Sequence, residues 1–241
     1  MIGLPAAITA CLFDLDGVLT STASVHRTAW RRTFDELLAR RGHAPFTDED
    51  YTTYLDGRSR LDGVRAFLAS RDLDLPEGTP DDPTDTETVH GIGARKNALV
   101  LRLIDESGVT PFPGSVRYLT AARAAGLAIG VVTSSANAAH VLGAAGLDEF
   151  VQARVDGKTI TREGLRGKPA PDAFLACAGL LGAAPAAAAV FEDALAGVEA
   201  GRAGGFGHVV GVDRAGQAAA LAEHGADVVV RDLADLLEVP P

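Results

Sequence analysis

Cysteine occurs only twice in 241 residues, at Cys11 and Cys177, and the two are far apart. Their spacing matches no thiolate metal site, and apolar neighbours make both of them expected core thiols in a reducing compartment, which points to the cytoplasm. Lysine is scarcer still for its type: Lys96, Lys158 and Lys168 are the only three. Basic side chains number 22 against 32 acidic ones, a net charge of −10. A general grip on nucleic acid phosphates is therefore not expected. The apolar run Ile8–Phe13 has no basic leader before it and ends at Asp14, so neither a signal peptide nor a membrane span is expected. A zinc-binding histidine pair, a serine nucleophile elbow and a fixed-period repeat are also missing. Two near-motifs fail. Gly157-Lys158-Thr159 imitates the end of a P-loop, but the glycine required upstream is Gln152. Gly201–Gly207 is glycine-rich but follows a helical pattern instead of a strand.

What the chain does have is rhythm. Strand-length apolar runs occur at Ile8–Phe13, Leu127–Val132, Ala188–Phe191, His208–Val212 and Ala226–Val230. Helical spacing is found at Val116–Ala125, Ala136–Ala145, Asp172–Leu181, Ala194–Ala203 and Ala215–His224. This alternation predicts an α/β fold, a doubly wound parallel sheet covered on both faces. The first interval breaks the pattern. From Ser21 to about Pro113 there are helical patterns at Val25–Arg41, Leu61–Ser70 and Ala94–Glu106, with a loop at Asp72–Asp85, and no core strand. A crossover does not need so much chain, so a helical cap domain is expected at 21–111, inserted into a core of 1–20 and 112–241. Ligands in open α/β sheets bind at the carboxyl ends of the strands, where such an insertion would act as a lid.

The chemistry-bearing residues fall at those strand exits. Asp14-Leu15-Asp16-Gly17 follows the first run, and two carboxylates so close raise the cost of ionising each other. A cation or a reaction is a better reason for them than a solvated turn. Thr133-Ser134-Ser135-Ala136-Asn137 follows the second run, with short hydroxyl donors and free N–H groups that suit either a phosphate oxygen or an ordinary helix cap. Glu192-Asp193 is a second acidic pair, and four carboxylates at two strand ends suit Mg²⁺. Lys168, in Gly167-Lys168-Pro169-Ala170-Pro171, is held by prolines and would place a fixed ammonium among them.

Together Asp14-Leu15-Asp16-Gly17-Val18, Ser134/Ser135, Lys168 and Glu192-Asp193 resemble the four ordered motifs of the haloacid dehalogenase (HAD) superfamily. The resemblance implies a HAD-like core in which Asp14 is a nucleophile that becomes an aspartyl phosphate and Asp16 is the general acid–base. It also implies Mg²⁺ on Asp14, the Asp16 carbonyl and Asp193, with Glu192 beside it. A second aspartate favours phosphoryl transfer over carbon–halogen cleavage. Within the insertion, Thr22, His26 and Trp30, then Gly57-Arg58-Ser59-Arg60, then Arg95-Lys96-Asn97, are similar to the β-phosphoglucomutase-like subgroup. There Arg60 would hold the phosphate that is not in transfer, Lys96 would sit at the cap hinge, and Thr133, Ser135 and Asn137 would surround the transferring one. The chain departs from that pattern at Ala136, where the subgroup has a lysine. The expected activity is Mg²⁺-dependent phosphoryl transfer on a hexose phosphate, β-glucose 1-phosphate to glucose 6-phosphate. A sugar-phosphate phosphatase is the alternative, and a phosphoaspartate signalling module is a distant one. The expected partner is a small sugar phosphate, and a monomer is the default.

Overall fold

A computed structural model describes residues 2–238. The chain divides into two compact units, Thr22–Gly108 and the pair of segments Met1–Ser21 with Val109–Pro241. Thr22–Gly108 contains helices α1 (Ala23–Arg41), α2 (Asp48–Tyr54), α3 (Arg60–Ser70) and α4 (Val89–Ser107). Three of them begin at a hydroxyl that takes an orphan backbone N–H. Thr47 accepts from Asp50, Ser59 from Asp62 and Thr88 from Gly91, at 3.0, 3.3 and 2.9 Å. The unit has its own core. Phe34 is fully buried, with ring centroids of Phe67, Trp30 and Phe46 at 4.1, 5.3 and 5.7 Å. Burying each such ring is worth roughly 1.5–3 kcal/mol, and this cluster holds the helices of the unit together.

Helix α2 was not predicted. Seven residues with one buried tyrosine carry too little apolar periodicity to announce a helix. It is fixed by a reciprocal capping box between Thr47 and Asp50. Helix α4 starts at Val89, five residues before the apolar pattern does, because Thr88 supplies its cap. The Asp72–Asp85 segment contains no helix or strand, as expected. It is tied down by arginines: Arg65 pairs with Glu77, and Arg95 Nε donates to the Thr84 carbonyl at 2.7 Å.

The other unit is built on a six-stranded sheet in the order β3-β2-β1-β4-β5-β6. The strands are β1 (Ala10–Phe13), β2 (Ala128–Val132), β3 (Ala153–Val155), β4 (Ala188–Glu192), β5 (His208–Val212) and β6 (Val228–Val230), and every pairing is parallel. The sheet is the predicted doubly wound one. Leu12 packs with Phe174 and Cys177 on one face. Its neighbour Phe13 points the other way, stacked on Phe191 at 4.3 Å with Tyr118 edge-on at 6.1 Å. Both faces of β1 are therefore covered, which is why the strand reads as a continuous apolar run. Cys11 and Cys177 are free and buried, and burial pushes each thiol up to about 12.

Among the described residues this unit also contains α-helices α5 (Pro113–Ala124), α6 (Ala138–Ala145), α7 (Gly157–Glu163), α8 (Asp172–Leu180), α9 (Leu195–Ala203), α10 (Ala218–Glu223) and α11 (Asp235–Glu238). Strand β3 and helix α7 were not predicted. A three-residue edge strand whose middle residue is the exposed Arg154 has no apolar run to reveal it. Among the described residues no helix is long and apolar enough to cross a membrane.

Candidate active site

Strand β1 stops at Phe13, and its ladder runs one bond further, from Asp14 N–H to the Phe191 carbonyl at 2.9 Å. Asp14 is therefore the first residue beyond the pleat, only 7 % exposed. Lys168 reaches it from the loop before α8, and Nζ donates to Asp14 Oδ1 at 2.6 Å. The same ammonium also donates to Glu192 Oε1, while Glu192 Oε2 accepts the Ala194 N–H at 3.0 Å. The lysine loop is closed by Asp172, which accepts from Arg166 Nε at 3.0 Å and from its Nη2 at 2.7 Å. The Lys168–Pro169 peptide bond is cis. Below the ammonium lies the Phe174 ring, 5.1 Å from Nζ to centroid, an added attraction for a cation already desolvated.

Charge and burial pull against each other here. Desolvation lowers the Lys168 pKa, but Asp14 and Glu192 outweigh it and hold the ammonium above the usual lysine value. Burial pushes the Asp14 carboxyl well above the usual carboxylate range. Lys168 opposes that rise, and Glu192 and Asp16 add to it. Asp14, Glu192 and Asp193 each bring an oxygen to within 4.8 Å of the others. Three carboxylates against one ammonium leave the cluster short of positive charge. An oxygen-only donor set of this kind fits a hard divalent cation such as Mg²⁺. Asp14, Glu192 and Asp193 are the side chains that could hold it, with both Glu192 oxygens already accepting hydrogen bonds.

Gly17 shows how tightly the loops meet. A Cβ there would lie 1.9 Å from Asp193 Oδ2, and the residue sits at φ +100°, so only glycine fits on either count. Asp16 points elsewhere in the cluster: its Oδ2 accepts from Thr133 Oγ1 at 3.3 Å. Thr133 N–H extends the β2 ladder to the Val155 carbonyl at 3.0 Å. The segment Thr133–Asn137 is a turn, not the first turn of a helix, because α6 starts only at Ala138. Its hydroxyls hold its own backbone: Thr133 Oγ1 accepts from Ser135 N–H at 3.1 Å, and Ser135 Oγ from Asn137 N–H at 3.3 Å. Ser134 is part of that turn, and the Gly157 N–H braces it at the Ser135 carbonyl, 2.9 Å away.

The residues expected to bind substrate from the insertion lie in the helical unit. Thr22 is buried, and its carbonyl accepts the His26 N–H at 2.9 Å. Lys96, 5 % exposed, donates to His26 Nδ1 at 2.8 Å and stands 4.8 Å above the Trp30 ring. A lysine only donates, so that bond selects the Nε2–H tautomer of His26. Arg60 opens α3, and its Nε is buried with no hydrogen-bond partner among the described residues.

Three residues escaped the sequence reading. Gly197 lies inside α9, where a Cβ would fall 1.9 Å from Glu192 Oε1. It is the third residue of that helix, and a glycine there among alanines and a leucine was the only available signal. Arg214 and Gln217 follow β5, another strand exit, and bond to the carbonyls of Gly17 and Asp193, both at 2.9 Å. Their position after a strand was legible, but their targets were not.

A family profile described as haloacid dehalogenase-like hydrolase matches residues 8–205. The chain is 57% identical to a β-phosphoglucomutase of Mycobacterium tuberculosis, over 98% of this chain and 94% of that protein. It is 32% identical to hexitol phosphatase A of Escherichia coli, over 92% and 90% respectively. Among solved structures, a β-phosphoglucomutase of Clostridium difficile superposes with a TM-score of 0.76 at 27% identity, covering 95% of this chain and 93% of that one. The chain belongs to the haloacid dehalogenase-like hydrolases, in their β-phosphoglucomutase-like subgroup.

Proposed function

We propose that this protein is a Mg²⁺-dependent phosphotransferase that isomerises a hexose phosphate, converting β-glucose 1-phosphate to glucose 6-phosphate through an aspartyl phosphate on Asp14. The observation that carries the reaction type is the buried contact of Asp14 with Lys168, beside Asp193 and Glu192. The substrate rests on the 57% identity to the mycobacterial β-phosphoglucomutase.

In this reading the bisphosphate first leaves a phosphoryl group on Asp14. Asp16 takes the proton of the bound sugar phosphate's free hydroxyl, whose oxygen attacks phosphorus as the bond to Asp14 breaks, and the bisphosphate forms. The bisphosphate turns end for end, an Asp14 oxygen attacks the other phosphorus as its bond to the sugar oxygen breaks, and Asp16 gives that oxygen its proton, so the isomerised sugar phosphate leaves with the aspartyl phosphate restored. Thr133, 3.3 Å from Asp16 Oδ2, aims the acid–base. Lys168 fixes Asp14 and balances charge, since a preorganised ammonium needs no reorientation during transfer. The turn Ser134, Ser135, Asn137 offers donors to the phosphoryl oxygens, and Asp14 and Asp193 hold the cation. When bound, Mg²⁺ supplies charge neutralisation for the phosphoryl group. Thr22–Gly108 acts as the cap, with Arg60 holding the second phosphate and Thr22, His26 and Lys96 lining the sugar side. The free thiols Cys11 and Cys177 suit the cytoplasm.

A phosphatase is the second reading, favoured by the hexitol phosphatase relative. Asp16 would then activate water in place of a sugar hydroxyl. The decisive experiment supplies β-glucose 1-phosphate with a trace of the bisphosphate, and follows glucose 6-phosphate and inorganic phosphate together, with Mg²⁺ and with chelator. Glucose 6-phosphate should dominate and vanish with chelator. Phosphate release across a panel of hexose phosphates, without isomerisation of any, would replace the mutase by the phosphatase.

A further inference from the structure

Strand β5 ends at Val212, and the chain turns at once, with Asp213 Oδ1 accepting the Gln217 N–H at 2.8 Å. From this turn two side chains reach the two acidic loops. Gln217 Nε2 donates to the Asp193 carbonyl and Arg214 Nε to the Gly17 carbonyl, both at 2.9 Å. Arg214 is itself held. Its Nη1 donates to the Arg231 carbonyl at 2.8 Å, and its guanidinium lies 3.8 Å from the Phe112 ring centroid. Its Nη2 is buried without a hydrogen-bond partner among the described residues, so the group accepts an unmet donor in order to stay where it is. Gly17 is pinned on its other side too, by its N–H to the Thr20 carbonyl at 2.8 Å.

From this geometry we infer that Arg214 and Gln217 are positioning residues that set the divalent cation site. The inference rests on the reading that Asp14 and Asp193 hold that cation. Like charges on two facing loops push the loops apart when the cation is absent. A donor on a main-chain carbonyl in each loop resists that opening from a single rigid turn, so the site stands formed before the cation arrives. Arginine suits the task because its planar fork reaches two carbonyls in fixed directions, which a lysine cannot do. Partners of this outer kind are typically worth about 10–100-fold in metal affinity.

The test is direct binding, read without turnover: Mg²⁺ by calorimetry and Mn²⁺ by electron paramagnetic resonance, on the full chain. Wild type should bind one ion and Asp193→Ala should lose it. Arg214→Ala should weaken binding by roughly 10-fold or more, and Gln217→Ala by several-fold. Arg202→Ala, which removes an exposed ion pair to Asp227, should leave affinity unchanged. Melting temperatures measured in chelator separate a structural role, which would lower them while leaving affinity alone. If folded Arg214→Ala binds within about twofold of wild type, the inference is wrong. Should Arg214→Ala not fold, Arg214→Lys and Gln217→Ala decide by the same criterion. A wild type that takes up neither ion removes the metal reading and the inference together. Normal wild-type binding that Asp193→Ala loses and Arg214→Ala keeps removes the inference alone.

Discussion

Lys168 Nζ meets Asp14 Oδ1 at 2.6 Å across 154 positions of sequence, with both side chains almost wholly removed from solvent. Removing the ammonium leaves Asp14 and Glu192 facing each other without compensation. Lys168→Met should therefore destabilise the metal-free protein by about 3–5 kcal/mol, the usual cost of orphaning a buried charge. Saturating Mg²⁺ should restore part of that stability and little of the turnover, since the cation replaces charge but not the lysine's hydrogen bonds. Urea unfolding with and without Mg²⁺, beside a turnover assay, checks both halves. Unchanged stability together with normal turnover would remove Lys168 from the site.

Gly197 sets helix propensity against a close approach. Alanine is the better helix former by about 1 kcal/mol, yet its Cβ would fall 1.9 Å from Glu192 Oε1 and force that carboxylate off Lys168. We expect Gly197→Ala to lower kcat by roughly 10-fold or more while the sheet stays folded. Gly179, in helix α8, has nothing within 4 Å of its would-be Cβ. Gly179→Ala should keep kcat and gain about 0.5–1 kcal/mol. Equal behaviour of the two variants in kcat would contradict the clash.

On the proposed function, Arg60 is the residue that would distinguish isomerisation from hydrolysis. A mutase must hold a bisphosphate by both ends, and a guanidinium pairs with two phosphate oxygens at once. Arg60→Ala is expected to depress glucose 6-phosphate formation at least about 10-fold more than phosphate release. Lys96→Ala should shift the ratio the same way, more weakly. Parallel loss of both products would deny Arg60 a part in the choice of acceptor.

Asp50 gives the helical unit a pH dependence. Burial raises its pKa, but hydrogen bonds from the Thr47 backbone and hydroxyl, and then Arg71, outweigh that and hold it below the ordinary aspartate value. A depressed carboxylate pKa contributes stability above the unfolded value of about 3.9, and loses it as pH falls through the folded one. Asp50→Asn should cost about 1–2 kcal/mol at pH 7, as cap and ion pair weaken together, with the difference shrinking below about pH 4. Urea unfolding of both proteins at several pH values measures it. A difference independent of pH would mean the charge contributes nothing.

The sheet was legible because its central strands are buried on both faces, so Ile8–Phe13 and Ala188–Phe191 read as continuous apolar runs. Asp14, Lys168 and the Glu192-Asp193 pair were legible because each falls at a strand exit or directly before a pair of prolines, in short ordered motifs. Strand β3 and helix α2 were not legible, since three or seven residues carry too little periodicity and are fixed by a neighbouring strand or a single capping box.

The sequence by itself determined the alternation of strands and helices, the long helical interval after the first strand, and which side chains are candidates to carry the chemistry. Those properties are local: they depend on periodicity, on breakers and on residue type. Tertiary structure alone decided that Glu192 spends its oxygens on Lys168 and the Ala194 N–H, that Gly17 and Gly197 make room for carboxylates, and that Arg214 and Gln217 reach the Gly17 and Asp193 carbonyls. Each of these joins segments that meet only when parallel strands bring their carboxyl ends to one edge of the sheet or a helix packs back against it. No local pattern encodes a contact whose partner is chosen by the packing of the whole unit.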